Sequence, residues 1–351
     1  MKFDLNPTEK VEELYDRKKE LGQLEGALKR HERLIVVYGL RRVGKTSLIR
    51  AMLNEKEFPY LFIDIKEIYY EHASVAVSTL TEVIAEEFVK FASGAGLDPE
   101  SFSGGLVDKS VTSLLKGINE WCKAKGLFFV MAFDEAQYLR FGGRVRYDGI
   151  IAWSVDNLSN ISYVLTGSEI GMLRDFLRCE DVEAPLYGRF RDEICLDRFR
   201  KDASAEFLSA GFKESDIGAT EEEIGDAVDN LGGVVGWLAY YGYYRCSLGL
   251  NHEEALAKVF EEGSKILASE VGKLVARSRK RYVYVLKAIA NGVDRWGEIK
   301  AYVSAKGERV SDTILSSLLR NLVKLGLVEK AGETYSIPDP IEARMIKKLK
   351  P

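Results

Sequence analysis

A stretch of eight residues, Gly39 to Thr46, has the spacing of a phosphate-binding loop. Its two glycines are separated by four residues, and a lysine and a threonine follow the second glycine. An apolar, β-branched run precedes the loop from Leu34 to Tyr38, and apolar residues at helical spacing follow it from Ser47 to Leu53. The sequence therefore predicts a buried strand, a glycine turn and a helix N-terminus, where backbone N–H groups and the helix dipole attract phosphate oxygens.

The residue types in this loop suit a nucleoside triphosphate held together with a metal ion. Gly39 and Gly44 allow the tight turn and the close approach of the backbone to phosphate. Lys45 would reach the β- and γ-phosphates, and the Thr46 hydroxyl would ligate Mg²⁺. We expect the whole loop to contact the nucleotide, and it comprises Gly39, Leu40, Arg41, Arg42, Val43, Gly44, Lys45, Thr46 and Ser47.

A pair of carboxylates after a second apolar run is the next candidate group. The run from Leu127 to Phe133 is typical of a buried strand, and Asp134 and Glu135 follow it directly. Ligands bind at the carboxyl ends of parallel strands, so this pair suits a nucleotide–metal site. We expect Asp134 to hold Mg²⁺, directly or through water, and Glu135 to orient and deprotonate the attacking water.

Three other segments carry residues that could serve the same site, and each has a structural alternative. Thr166 and Ser168 end a further predicted strand, where they could contact the γ-phosphate or the attacking water, or cap an ordinary turn. Arg189 could neutralise transition-state charge as an arginine finger, or pair with a surface carboxylate. Tyr15 and Arg17 could contact adenine or ribose, or belong to an exposed amphipathic helix.

Composition and charge narrow the class of protein. The 351 residues are enough for two or three domains, and 46% apolar with 30% charged residues is typical of a soluble globular chain. No signal-peptide pattern and no apolar run of membrane-spanning length occurs, which predicts a cytoplasmic protein without a membrane partner. The net charge of −4 conceals a basic end, because residues 272–351 hold 17 Lys and Arg against 8 Asp and Glu, and the remainder holds 33 against 46.

Strand and helix signals divide the chain into three parts. Up to residue 197, strand-length apolar runs alternate with helical periodicity, which favours an α/β core. Within it we predict one helix from Thr8 to Arg30 and a loop from Ser93 to Gly105. Residues 198–275 show helical periodicity alone and predict a small all-α domain, which leaves 276–351 as a third domain.

The third domain has the pattern of a winged helix-turn-helix. Three predicted helices, Tyr282–Ala290, Trp296–Ser304 and Val310–Leu325, precede a hairpin around an Ala-Gly turn at 326–337. The third helix, with Ser311 as a plausible cap, could enter the major groove of double-stranded DNA, and the basic charge supports this partner. Because that helix exposes only a modest set of basic residues, docking of a protein is the alternative.

With these residues in view, the chain resembles the archaeal ATPase family within the AAA+/STAND branch of P-loop NTPases. The resemblance implies a five-stranded parallel sheet in the order 5-1-4-3-2, a helical lid and a winged helix. It also implies that Thr166 to Ser168 is a γ-phosphate sensor and that Arg189 belongs to an arginine motif. Leu40 stands where the family usually has proline. The segments that match are Tyr15–Leu21, Tyr38–Ser47, Phe133–Leu139, Leu165–Leu173, Pro185–Arg189 and Ile337–Pro340.

The function predicted from these features is a slow, Mg²⁺-dependent switch ATPase. ATP and ADP are the expected ligands, and the nucleotide state would control the winged helix at 276–351, acting on double-stranded DNA. One alternative is a nucleotide-gated DNA-binding module with little turnover. Another is a scaffold that binds protein partners or assembles as a homo-oligomer with nucleotide.

Overall fold

The structure is a computed structural model that describes residues 3–55, 58–96, 110–274 and 279–350. The chain divides into two compact units, one formed by Pro7–Leu196 and the other by Met1–Asn6 with Asp197–Pro351. Within these described ranges, no helix is both long and apolar enough to cross a membrane. The loop predicted from Ser93 to Gly105 falls mostly on 97–109, outside the described residues.

A five-stranded parallel sheet forms the centre of the first unit. Its strands are β1 (Leu34–Gly39), β2 (Tyr60–Asp64), β3 (Phe129–Asp134), β4 (Ile161–Gly167) and β5 (Asp192–Leu196). Their order is β2-β3-β4-β1-β5, so the predicted order 5-1-4-3-2 is confirmed. Strands β3 and β4 are buried along their whole length, as expected for inner strands of a parallel sheet, and β5 alternates between buried and exposed residues at one edge.

Helices pack on both faces of this sheet. Three of them were not predicted: α3 (Ile65–His72) continues directly from β2, and α6 (Tyr147–Asn157) and α7 (Ile170–Leu177) come before and after β4 in sequence. For α3 the signal was hidden because Ile65 extends the apolar run of β2, yet Asp64 caps the helix by accepting hydrogen bonds from the N–H groups of Lys66 at 2.9 Å and Glu67 at 3.2 Å. The helices are α1 (Lys18–Lys29), α2 (Lys45–Glu55), α3 (Ile65–His72), α4 (Val77–Gly94), α5 (Val111–Lys125), α6 (Tyr147–Asn157) and α7 (Ile170–Leu177).

The predicted helix from Thr8 to Arg30 is wrong in its first half. A 3₁₀ turn covers Val11–Glu13, and the α-helix begins only at Lys18. The backbone leaves helical geometry at Leu14, which is extended with φ of −75° and ψ of 127°, and Asp16 then adopts a φ of +47° in the left-handed region. The 3₁₀ turn and the α-helix are therefore two separate elements, joined by a non-helical segment around Asp16.

The second unit contains the predicted all-α segment and the predicted winged helix. A hairpin of β6 (Glu329–Ala331) and β7 (Thr334–Ser336) follows the third helix of the winged-helix segment. Ser311 caps that helix by accepting a hydrogen bond from the Ile314 N–H at 3.3 Å, as predicted. The helices of the second unit are α8 (Lys201–Glu214), α9 (Glu221–Leu231), α10 (Val235–Cys246), α11 (His252–Leu274), α12 (Arg279–Ala290), α13 (Trp296–Ala305), α14 (Asp312–Lys324) and α15 (Pro340–Lys348).

Helix α15 was not predicted, and a buried aspartate ties it to the rest of the unit. Asp339 Oδ1 accepts the backbone N–H groups of Ile341 at 2.9 Å and Glu342 at 3.2 Å, which caps the helix. Its other oxygen, Oδ2, accepts the indole N–H of Trp237 on α10 at 2.8 Å. One carboxylate therefore joins a helix from each of the two predicted segments.

Phe3, near the amino terminus, lies in the core of this second unit. Its fully buried ring contacts Phe207 and Phe212, each with ring centroids 5.5 Å apart. Glycines on α8 and α10 make the space, because a Cβ at Gly211 would lie 2.1 Å from the Phe3 ring and one at Gly242 would lie 2.3 Å from it. The first residues of the chain are thus part of the unit formed mainly by residues 197–350.

Replacing Phe3 with alanine is expected to lower the free energy of unfolding of this unit by about 3–5 kcal/mol, because it leaves a cavity between two helices that cannot close. Denaturant unfolding followed by far-UV circular dichroism measures the loss. Leu5→Ala is the matched control, since Leu5 is 40% exposed and its removal should cost little. Equal effects of the two substitutions would contradict a core role for Phe3.

Candidate nucleotide-binding site

The phosphate-binding loop joins the end of β1 to the start of α2. A Cβ at Gly39 would lie 2.3 Å from the Leu196 carbonyl oxygen, so β5 passes too close for any side chain at this position. Gly44 has a φ of +96°, a conformation that favours glycine. Helix α2 begins at Lys45, immediately after the loop, and places its positive end there. Arg42 and Ser47 are both half-buried at this junction.

The Lys45 side chain is held inside the loop. It is only 6% exposed, and its Nζ donates hydrogen bonds to the carbonyl oxygens of Gly39 at 3.0 Å and Leu40 at 2.7 Å. Burial lowers the pKa of the Lys45 ammonium, while the nearby carboxylates of Glu135 and Asp134 act to raise it. Two neutral carbonyl oxygens of the loop therefore fix the position of the ammonium.

The two predicted magnesium ligands, Thr46 and Asp134, are in direct contact. Asp134 Oδ2 accepts a hydrogen bond from the Thr46 hydroxyl at 2.7 Å, and Asp134 Oδ1 accepts one from the Thr166 hydroxyl. Within the described residues, no group of three or more His, Cys, Asp or Glu side chains could hold a metal ion. A hydroxyl and one carboxylate, completed by phosphate oxygens and water, are nevertheless a donor set that Mg²⁺ uses, so Thr46 and Asp134 fit this ion.

Glu135 is fixed by its backbone and by its carboxylate. The residue has a φ of +52°, and its N–H donates to the Thr166 hydroxyl at 3.0 Å. Oxygen Oε2 accepts hydrogen bonds from Ser168 Oγ at 2.8 Å, from the Ser168 N–H at 3.3 Å and from Gln137 Nε2 at 2.5 Å. Burial acts to raise the pKa of the carboxyl, but Lys45 and other nearby cations outweigh it, and the pKa is lowered. Thr166 therefore contacts the carboxylate of the predicted metal ligand Asp134, and Ser168 contacts the carboxylate of the predicted base Glu135.

Two buried side chains of this region were given no role from the sequence. Gln137 lies in the 3₁₀ turn that follows β3, and no hydropathy pattern distinguishes it from a core residue. Glu169, directly after Ser168, pairs with Arg41 of the loop at 2.9 Å. Burial raises the pKa of the Glu169 carboxyl, and Arg41 opposes that rise. An acidic residue at the start of α7 would ordinarily be taken for a helix cap, so only the fold shows its pairing.

The amino-terminal segment also reaches the loop. Arg17 is buried, and its Nη2 donates to the carbonyl oxygen of Val43 at 2.9 Å. Tyr15, two residues earlier, is half-buried. This position disagrees with an exposed amphipathic helix and leaves contact of Tyr15 and Arg17 with adenine or ribose as a prediction.

Two family models match parts of this chain. Residues 14–241 match the family model of an ATPase domain predominantly from Archaea. This chain belongs to that family. Residues 276–337 match a second model, the winged helix-turn-helix domain at the C-terminus of MCM proteins. The predicted family and the predicted P-loop NTPase fold with a winged helix are thus confirmed.

Solved structures extend the comparison of this archaeal ATPase-family chain to its whole length. The Walker-type ATPase PABY2304 of Pyrococcus abyssi is 36% identical, with 99% of this chain and 100% of that chain covered and a TM-score of 0.91. The ORC2 protein of Aeropyrum pernix, in ADPNP–ADP complexes, shares the fold at 14% identity, with 99% and 95% covered and a TM-score of 0.67. A comparison with curated proteins gave no match.

In this family member, Arg189 lies apart from the other predicted site residues. Its guanidinium is paired with Asp156, with Nε 2.9 Å from Oδ1 and Nη2 2.5 Å from Oδ2. Arg189 precedes β5, whose first residue, Asp192, lies beside Ile35 near the start of β1. That is the amino-terminal edge of the parallel sheet, whereas the phosphate-binding loop is at the carboxyl edge. Arg189 therefore does not complete the site of its own chain.

Proposed function

We propose that this protein is an Mg²⁺-dependent ATPase whose nucleotide state controls a winged-helix module that binds double-stranded DNA. The observation that carries the proposal is the 2.7 Å contact between Thr46 and Asp134, because it joins the phosphate-binding loop to the strand that ends in Glu135. The Pyrococcus abyssi relative, described as a Walker-type ATPase, supports the same activity.

Each residue of the site has a role in this proposal. Lys45, which donates to two loop carbonyls, exchanges those partners for β- and γ-phosphate oxygens of ATP. Thr46 and Asp134 would hold Mg²⁺, which when bound would neutralise phosphate charge. Glu135 orients a water molecule and accepts its proton as the water attacks the γ-phosphorus, and ADP and phosphate are released. Thr166 and Ser168 keep the carboxylates aligned through the hydrogen bonds described above.

The remaining parts of the chain supply the switch. In this proposal the ATPase core comprises residues 7–197 of the predicted range 1–197, because residues 1–6 belong to the second unit. Residues 198–275 form the lid and 276–351 the output module. The excess of 17 basic over 8 acidic residues in 272–351 supports a polyanionic partner such as duplex DNA. Arg320, Thr313 and Ser317 are the exposed residues of α14 that could reach a groove.

Docking of a protein is the second candidate for the output module. On α14 the apolar Ile314 is 38% exposed, and Asp312 neutralises Lys300 at 2.5 Å. Both features weaken an electrostatic contact with phosphate and favour a mixed polar and apolar partner surface. In this alternative, ATP controls assembly with a protein, and turnover is incidental.

The test is ATP turnover measured with and without duplex DNA over a range of protein concentrations. We expect slow phosphate release that requires Mg²⁺, and duplex binding that weakens with salt and differs between the ADP and ATP states. Turnover per molecule that rises with protein concentration, and loses that rise in Arg189→Ala, would assign Arg189 a role on a second copy. Absence of turnover under all conditions would reject the ATPase, and absence of duplex binding at low salt would favour the protein-docking module.

A further inference from the structure

Gln137 makes a contact that the core alone does not require. Its side chain is 1% exposed, and its Nε2 donates to Glu135 Oε2 at 2.5 Å. The same oxygen accepts the hydroxyl and the N–H of Ser168, so three donors from two different segments converge on it. One donor comes from the turn after β3, and the other two come from the residue after β4. The carboxylate is held from both sides.

The other end of the Gln137 amide has no such partner. Its Oε1 is buried and makes no hydrogen bond in the described part of the structure. A buried acceptor without a donor destabilises the fold, and an apolar side chain of similar length would avoid that penalty. The opposite amide orientation would place Oε1 against the carboxylate oxygen, which is repulsive. Gln137 therefore places an unfavourable oxygen in the core, and the hydrogen bond that its Nε2 donates to Glu135 is the interaction that offsets this cost.

Neighbouring backbone is shaped around this side chain. A Cβ at Gly167 would lie 2.8 Å from Gln137 Oε1, so any larger residue there would displace the amide. Glu135 itself adopts the left-handed conformation with φ of +52°, and the 3₁₀ turn Ala136–Phe141 begins immediately after it. Gly167 and this turn give the Gln137 amide its position beside the carboxylate.

We propose that Gln137 is a positioning residue that, together with Ser168, fixes the Glu135 carboxylate in the orientation in which it accepts a proton from the water that attacks ATP. The proposal rests on the function proposed above, in which Glu135 acts on water. Gln137 acts only through Glu135: its single donor prevents rotation of the carboxylate, and a small loss of alignment of a reacting group is costly in rate. No proton or bond passes through Gln137.

The test compares Gln137→Met with the wild-type protein. Methionine matches the length of glutamine and needs no hydrogen bond, so we expect the melting temperature of the nucleotide-free protein to stay equal or rise. Affinity for ATP should change by less than about twofold, and kcat should fall by about 10- to 100-fold. If Gln137 served packing alone, the Gln137→Met variant would have a lower melting temperature and an unchanged kcat. That result would overturn the proposal.

Asn119→Leu is the matched control. Asn119 is also a buried amide, 4% exposed, but both of its ends are bonded: Oδ1 accepts the Asn160 N–H at 2.9 Å, and Nδ2 donates to Glu120 at 3.2 Å. Asn160 precedes β4, at the sheet edge opposite the site. We therefore expect this variant to lose melting temperature and to keep kcat, the opposite pattern to Gln137→Met.

A second measurement separates this inference from the ATPase proposal. The variants Gln137→Met, Glu135→Gln and their combination are melted without nucleotide, and the shifts of the double variant are compared with the sum of the single shifts. A contact between the two side chains predicts shifts that do not add. Additive shifts would overturn the inference even if the wild type hydrolyses ATP. Non-additive shifts in a protein without turnover would retain the contact and reject only the proposed function.

Discussion

Replacing Glu135 with glutamine is expected to reduce ATP turnover by about 100- to 10,000-fold and to leave ATP binding nearly unchanged. Glutamine has the shape of glutamate but cannot accept a proton from water. Lys45 and the loop backbone, which would bind the phosphates, are untouched by the change. The pattern of a large loss in kcat with retained affinity identifies a residue that acts in the transition state.

Phosphate release under excess ATP and Mg²⁺ measures the first quantity, and equilibrium titration with ATP measures the second. Asp148→Asn is the matched control, since Asp148 is also a buried carboxylate and its pKa is also lowered, by the hydrogen bonds of Arg146 and Arg178 against the effect of burial. That variant should lose stability and keep its turnover. Normal turnover by Glu135→Gln would reject Glu135 as the base.

Replacing Lys45 with alanine is expected to weaken ATP binding by about 100-fold or more, enough to abolish it at ordinary concentrations. The reason is the loss of charge-assisted hydrogen bonds to two phosphate groups, each of about 1.5–3 kcal/mol, in a site where the ammonium is already stripped of water. The same variant should show no turnover, because it binds no substrate.

Lys66→Ala tests whether the effect belongs to the position or to positive charge in general. Lys66 follows β2 at the same sheet edge, and its charge acts on the pKa of both Lys45 and Glu135. We expect its removal to weaken ATP binding by no more than about fivefold. Titration calorimetry on both variants, with circular dichroism as a check of folding, gives the comparison; equal losses would contradict a specific phosphate contact by Lys45.

The local chemistry of the site could be predicted because its parts are short and contiguous. The loop from Gly39 to Thr46 needs glycines, a lysine and a hydroxyl at set spacing. The strand before it and the helix after it are predicted from the pattern of apolar residues. Asp134 and Glu135 follow the same logic at the end of a buried run. The order of the strands was predicted from the family resemblance, because the apolar runs alone do not indicate which strands are neighbours in the sheet.

The tertiary structure decided which distant residues share a site. Gln137 and Glu169 were recognised only when the ends of β3 and β4 came together, and Arg189 proved to lie at the opposite edge of the sheet. Phe3 could not be assigned to the unit of residues 197–350 from its own neighbours in sequence. Local patterns determine the type of an element because backbone geometry repeats every two or 3.6 residues. Contacts such as Thr46 with Asp134, 88 residues apart, depend instead on the complete packing of the chain, which no local period encodes.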